Sequence, residues 1–498
     1  MQLLIIALML CLFAHDQAAE LIRHGLPWPT MLIGMVGPKL LVLILYAFAC
    51  RWAFQHLKSD KVAKHLHRLD RFGELFRFAV IALFVLDLHL GLLVNMRDVI
   101  EEHTGIQKLI LLDELAVLLP TLILLGLRWW AYYPIHRRLR EAAIMKRFDE
   151  GLPVYEISTR GQYVVAQFRY QVALILVPLL CIYAWAEAVR LAELREWFGV
   201  TESITPWLTL GGSLSIFILS PLMIRVIWDT TALPEGEIRE HLMGMCRTHR
   251  VRLNQLLLWN THGVMVNAAV MGLVAPLRFI LVTDVLLQQV PQPQVEAVMA
   301  HELGHVRKYH MFTLIVCAVA LMGVIETLAV VLLANNGILF NEAGHIVTMS
   351  NQTSASLMAK LPPIGTSVLD SPQAVLLATL VVSAVAWVTG FGWISRRAER
   401  QADSFAVAHL ARQRGSDVVE ARDADTMIGA LQHIAKMSHL RVDKHSWRHG
   451  SIRWRQDYLK TLAGSSIKRL PIDRQMWWVN SLSVAAIVVV VAVQTWFG

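Results

Sequence analysis

Charge is scarce in this chain. Asp, Glu, Lys and Arg make up 17% of its 498 residues, against about 25% in a typical soluble protein. That scarcity argues against an ordinary soluble enzyme, and a hydrophobic content of 55% excludes a disordered chain. Cysteine is sparse and unpaired. Cys11, Cys50, Cys181 and Cys317 lie inside apolar runs, and Cys246 stands alone in a polar stretch. With no CxxC and no paired spacing, neither a disulfide framework nor a cysteine-type zinc site is indicated. Acidic residues are fewer than basic ones, 38 against 46, which gives a formal net charge of +8. In so apolar a chain this excess reads as Lys and Arg in cytoplasmic loops, and no nucleic-acid partner is expected. Internal repeats and low-complexity tracts are also missing.

What the chain does have is long apolar runs. Eight stretches approach the roughly 20 residues of a spanning helix: 31–54, 78–94, 109–133, 172–188, 207–227, 311–334, 374–394 and 479–497. Aromatic residues flank several of them, among them Trp129, Trp130, Trp207, Trp228, Trp477 and Trp478, as in an interfacial belt. A shorter run at 3–13 has the length of a signal-peptide core but no basic residues before it, so residues 1–30 read as a signal-like or short membrane segment. Basic loops around Lys58–Arg71 and Arg137–Arg147 alternate with short, partly acidic or uncharged loops at 98–103, 191–206 and 335–373. The alternation puts the polar regions 228–310 and 395–475 on the cytoplasmic side. The predicted order is therefore five transmembrane helices over 31–228, a cytoplasmic segment at 229–310 and two further helices with an external loop over 311–394. A second cytoplasmic segment at 395–475 and a terminal helix at 476–498 complete it. Asp87, His89, Asp113, Glu114, Glu187 and Glu326 fall in or at the ends of apolar runs, where a charge needs a partner or water.

Within the first polar region, 255–260, 264–270 and 278–283 read as short strands, and 292–309 reads as a helix opened by Pro293. That helix carries Ala300-His301-Glu302-Leu303-Gly304-His305. Residues four apart share a helix face, so His301 and His305 can offer two imidazoles to one zinc ion. Glu302 lies beside them, placed to take a proton from a water activated by the metal. Such a site needs a third protein ligand. A metzincin extension is excluded, because Lys308 and Met311 stand where its glycine and third histidine belong. His310 is off the ligand face and reads as an interfacial residue. The best third ligand comes from Ser395-Arg396-Arg397-Ala398-Glu399-Arg400-Gln401-Ala402-Asp403. Glu399 and Asp403 again share a helix face, so one can bind the metal while the other orients a ligand histidine.

These two motifs resemble those of the membrane zinc metallopeptidases that include the HtpX heat-shock proteases and the type I CAAX prenyl proteases. The likeness runs from about Leu233 to Leu462. It includes Val266-Asn267-Ala268 with Gly272, the run Arg278–Leu287, and His449-Gly450-Ser451-Ile452 with Arg455 and Leu459. Gly450 stands where the family's His-Pro-Ser segment has proline. The resemblance implies a gluzincin-like peptidase domain with a small β-sheet, facing the cytoplasm from a mainly α, multi-pass transmembrane bundle in the cell membrane. It implies one zinc ion per chain on His301, His305 and Glu399, with Glu302 as general base and Asp403 behind the ligands. It also implies His449 as an oxyanion donor and Asn267 as a residue pairing with substrate along a sheet edge.

The expected activity is zinc-dependent endopeptidase cleavage of a peptide or membrane-protein substrate at the bilayer, in membrane-protein quality control or peptide processing. Five apolar segments before the zinc helix resemble the CAAX branch, and processing of prenylated proteins is the alternative. The aromatic-Gly-Phe-Asn pattern of that branch is absent, however, and 479–497 adds a terminal segment. A transporter or scaffold with incidental histidines is the rival of another class, and stoichiometric zinc separates it. A sensor-transducer protease would need an extracellular domain longer than any external segment here.

Overall fold

The computed structural model describes residues 27–57, 62–89, 111–149, 151, 154–262, 265–335, 338–340, 346–348, 372–438 and 440–497. The signal-like run at 3–13, the loop at 98–103 and most of the external loop at 335–373 lie outside them. The chain is mainly helical and divides into two compact units, Met1–Trp228 and Asp229–Gly498.

The first unit contains α1 (Trp28–Gln55), α2 (Val62–His89), α3 (Leu112–Asp149), α4 (Arg160–Gln167), a π-helical turn (Phe168–Ala173), α5 (Leu174–Leu194) and α6 (Thr205–Ile227). Pro29 in the first turn of α1 loses no helical hydrogen bond, and Thr159 and Gln162 close a capping box at the start of α4. Across the described residues, five helical stretches are long and apolar enough to cross a membrane: Pro29–Gln55, Arg160–Leu194, Thr205–Ile227, His310–Leu333 and Pro471–Val493. They match five of the eight expected spans and mark an integral membrane protein. The runs at 78–94, 109–133 and 374–394 lie on or across the ends of helices Val62–His89, Leu112–Asp149 and Pro372–Gln413. Large apolar side chains such as Phe48 and Phe78 face outward along these helices, which in lipid carries no solvation cost. Asp87 has the partner that its position demands. Its carboxylate is buried against Lys39, whose Nζ also donates to the Met35 carbonyl at 2.9 Å. Glu187 accepts the Leu111 amide at 3.0 Å.

The second unit is built on a mixed sheet of β1 (Thr230–Ala232), β2 (Gln255–Trp259), β3 (Ala268–Met271) and β4 (Phe279–Thr283), in the order β1-β2-β4-β3. β2 and β4 run parallel, and the other pairs are antiparallel. All five β4 residues are buried, as expected of an apolar run in an inner strand. β3 is left at an edge. Thr283 then caps α8 (Asp284–Gln289) by accepting the Leu286 amide.

Next come α9 (Gln292–Arg307), α10 (His310–Asn335), the hairpin of β5 (Ile338–Phe340) and β6 (Ile346–Thr348), and α11 (Pro372–Gln413). α12 (Ala421–Met437), α13 (Ile452–Lys460) and α14 (Pro471–Phe497) follow, with α7 (Glu237–Thr248) lying between β1 and β2. The core of this unit joins Ile280 and Val282 of β4 to Ala297, Ala300 and Leu303 of α9, and these to Ala398, Ala406 and Val407 of α11. Helices α9 and α11 are thereby held face to face.

Candidate metal centre

The closeness of α9 and α11 depends on one glycine. A Cβ at Gly304 would stand 3.2 Å from the Ala402 Cα and 3.1 Å from the Phe405 Cβ. The first of these is backbone that cannot rotate away. Gly304, inside the His-Glu-Leu-Gly-His sequence, therefore lets α11 approach near enough for a side chain on it to reach the histidines.

That side chain is Glu399. His301 Nε2 and His305 Nε2 are 3.2 Å apart. Glu399 Oε2 is 3.7 Å from His301 Nε2, and Oε1 is 3.9 Å from His305 Nε2. Zinc bonds of about 2.0–2.2 Å at tetrahedral angles would separate ligand atoms by about 3.4 Å. Two imidazole nitrogens and a carboxylate at these separations fit zinc as they stand, and their ligand atoms form the cluster suited to a metal ion among the described residues.

The outward nitrogens of both histidines are engaged. His301 Nδ1 lies 2.9 Å from Asp403 Oδ1, at an angle short of a good hydrogen bond. Asp403 is fully buried and takes two contacts from Arg455, Nε to Oδ2 at 2.8 Å and Nη2 to Oδ1 at 2.6 Å. Arg455 Nη1 also lies 3.3 Å from Glu399 Oε2. Burial alone would raise both carboxyls, but Arg455, together with His449 at Glu399 and His301 at Asp403, outweighs it and holds both below the usual carboxylate range. Both acids are therefore ionised. Burial and the charge of His301 hold His305 well below its usual range, so it is a neutral ligand-ready imidazole. On His301, burial acts in the same direction but is overcome by Asp403, which raises it.

The sequence reading of His310 is corrected here. It is buried, and its Nδ1 lies 2.9 Å from His305 Nδ1, while its Nε2 lies 2.8 Å from Gln401 Oε1. The reason is local. Tyr309 adopts φ +53° between α9 and α10, and this turn aims His310 inward. Gln401 Nε2 donates onward to Asp473 Oδ1 at 2.6 Å, and Lys308 Nζ reaches the same oxygen at 2.8 Å. His305 is thus oriented by a chain of neutral groups ending in an ion pair, whereas His301 is oriented by a carboxylate.

Glu302 lies between the metal ligands and the sheet. Its Oε2 accepts the Val270 amide at 3.1 Å, an edge-strand N–H that is not used by the sheet. Burial pushes its carboxyl up to about 7, with the nearby Glu399 charge adding to the rise against His301. His449 Nδ1 lies 2.9 Å from Glu399 Oε1, with its ring more than half exposed. Gly450 beside it has φ +75°, and Ser446 and Gly450 exchange amide-to-carbonyl bonds of 2.9 and 3.1 Å. Proline, locked near φ −65° and without an N–H, cannot take this place. Asn267 just precedes β3. Its amide donates to Thr283 Oγ1, and its carbonyl accepts the Thr283 amide, both at 3.0 Å. Its exposed side chain is therefore what it presents outward, and the backbone groups turned outward are those of Ala268 and Val270, of which the Val270 N–H is taken by Glu302.

The structure gathers His301, His305, Glu399, Asp403, Glu302 and His449 into one site and sets Asn267 along the strand that borders it. Sequence reasoning gave no role to Arg455, whose acid partner lies 52 residues away in the chain, and misjudged His310. Residues 233–444 match the model of peptidase family M48. No curated protein matches the chain. Among solved structures, the crystal structure of S. mikatae Ste24p is similar over 88% of this chain and 100% of that one, at 15% identity and a TM-score of 0.42.

Proposed function

Since residues 233–444 match the model of peptidase family M48, we propose that the chain is a membrane-embedded zinc metalloendopeptidase. The observation that carries this reading is the trio of His301, His305 and Glu399, with ligand atoms 3.2 to 3.9 Å apart and Glu302 beside it. Zinc held there supplies a Lewis acid and lowers the pKa of water to about 7. Glu302 takes a proton from the attacking water and delivers it to the leaving amine. Its position at the edge strand β3 supports a substrate bound as an added strand, with the Ala268 backbone and the Val270 carbonyl offering hydrogen bonds and Asn267 its carboxamide. His449, exposed at the rim of the site, is placed to donate to the oxygen that becomes negative as the carbonyl is attacked. Asp403 and Arg455 hold His301 and Glu399 in register.

The basic loops support a cytoplasm-facing site in the cell membrane, with the polar segments 229–310 and 395–475 forming the catalytic part. Membrane proteins and peptides at the bilayer are the substrate class. Quality control of membrane proteins and processing of a dedicated peptide, prenylated or not, are the two roles compatible with it. Comparative proteomics of membranes carrying the active protein and its Glu302→Gln variant tests the reading. Polypeptides should accumulate uncut with the variant, which keeps its zinc because Glu302 is not a ligand. His301→Ala should lose zinc and cleavage together. Equal cleavage by Glu302→Gln would reject Glu302 as the general base, and a zinc-free wild-type protein would reject a metallopeptidase in favour of a transporter or scaffold.

A further inference from the structure

A polar cavity of about 330 Å³ lies in the unit Asp229–Gly498. Its wall contains Arg250, Arg307, Lys308 and Arg412, with Asp473 as the one carboxylate. Lys308 is paired with Asp473. Arg250, Arg307 and Arg412 have no acidic partner among the described residues. These cations follow or end helices α7, α9 and α11, whose C-terminal carbonyls attract positive charge. That attraction does not balance them. Each helix end carries about half a negative charge, so three of them with Asp473 leave the four cations in excess by roughly one charge or more. The buried His249 registers the same field. Burial, His409 and then Arg412 and Arg307 hold it down at about 4.

Two further observations point to a ligand. Arg250 is a non-glycine residue in the left-handed region, at φ +53°, just past the end of α7. Glycine is the usual residue at such a position, and here an arginine occupies it at the cost of backbone strain. The cavity also lies where two spans begin. Lys308 is two residues before the His310–Leu333 span, and Asp473 is in the first turn of Pro471–Val493. Exposed Trp477 and Trp478 follow Asp473 by about 6 Å along the helix, which sets the cavity at headgroup depth.

We propose that this cavity binds a phosphate group, as the headgroup of an anionic lipid or as a free phosphate. Three arginines in the wall of one cavity supply forks that match the oxygens of a phosphate. The inference stands apart from the peptidase reading, since it uses neither the metal ligands nor Glu302.

The test uses the full zinc-loaded chain in neutral detergent, with thermal unfolding followed during titration. Phosphatidylglycerol, phosphatidylcholine and inorganic phosphate are added in separate arms. A phosphate site predicts a rise in midpoint of roughly 5 °C at saturation with phosphatidylglycerol or inorganic phosphate, and none with phosphatidylcholine. A response to the lipid alone identifies a headgroup site. A response to inorganic phosphate as well identifies a site for the phosphate group itself, and a response to inorganic phosphate alone identifies a soluble ligand. Arg250→Gly removes a cation and relieves the left-handed backbone, so the ligand-free midpoint should hold or rise while binding weakens about tenfold. Arg412→Gln should weaken it similarly. No stabilisation by either probe, or equal stabilisation of both variants and wild type, would overturn the proposal.

Discussion

Asp403 and Glu399 lie one helical turn apart and face the same histidine, yet their surroundings separate their roles. Asp403 has no exposed surface, and its oxygens are occupied by Arg455 and His301. Glu399 directs an oxygen toward each histidine. Glu399→Ala should release the metal. Asp403→Asn should keep the shape of the side chain but lose its charge, weakening zinc affinity by about 10–100-fold in a chelator competition. Asp403→Ala should do more, because it takes the bidentate partner from the buried Arg455 guanidinium and leaves it only the Glu399 contact at 3.3 Å, a loss on the order of 3 kcal/mol. Its unfolding midpoint should fall well below that of Asp403→Asn. A metal analysis finding Asp403→Ala empty and Glu399→Ala loaded would exchange the two assignments. Gly450 offers another residue-level check. Gly450→Pro removes the N–H given to Ser446 and forbids φ +75°. With His449 carried by this turn, the variant should lose turnover while its zinc content holds, and full turnover would remove His449 from the reaction.

Among the elements, the strands at 255–259 and 279–283 and the helix at 292–307 were legible because apolar runs there are bounded by Gly and Pro. β1 was not, since three residues between a helix and Pro234 carry no periodicity. The zinc helix was legible from two histidines four apart, and the partner acids were narrowed to two by the same spacing. His310 was misplaced because a left-handed Tyr309 is not a sequence signal, and a single such residue re-aims everything after it. Arg455 was invisible for a different reason, since its partners come from another helix and no local pattern links them. The ion pair between α1 and α2 was half legible. Asp87 demanded a partner, and Lys39 was hidden inside an apolar run. Lys39→Met alone should destabilise the protein by about 3–5 kcal/mol, and Lys39→Met with Asp87→Leu should recover most of that loss. Denaturation of the two single variants and the double variant measures it, and additive losses would show that the pair is not coupled.

For the molecule as a whole, sidedness is the largest inference drawn from charge. A cysteine at Ser416, half-buried just past α11, should react with an impermeant thiol reagent only after cells are opened. Labelling in intact cells would place the metal site outside. Whichever side it faces, α11 would set how far from the bilayer the proposed cutting takes place. It is one unbroken helix of 42 residues, and its apolar run ends at 394, five residues and about 7.5 Å before Glu399. His305 is likewise five residues ahead of the His310–Leu333 span. α11 would therefore act as a depth gauge, while His305 is joined to its span through the turn at Tyr309. With the proposed span at 374–394 and the proposed activity, a cleavable bond would come to rest within about two helical turns of the lipid, and only chains with an extended stretch this near the membrane would be reached. One residue inserted between 394 and 399 would swing Glu399 by about 100° around the rod and dismantle the gauge, whereas lengthening the protein beyond Gly415 would leave its reading unchanged.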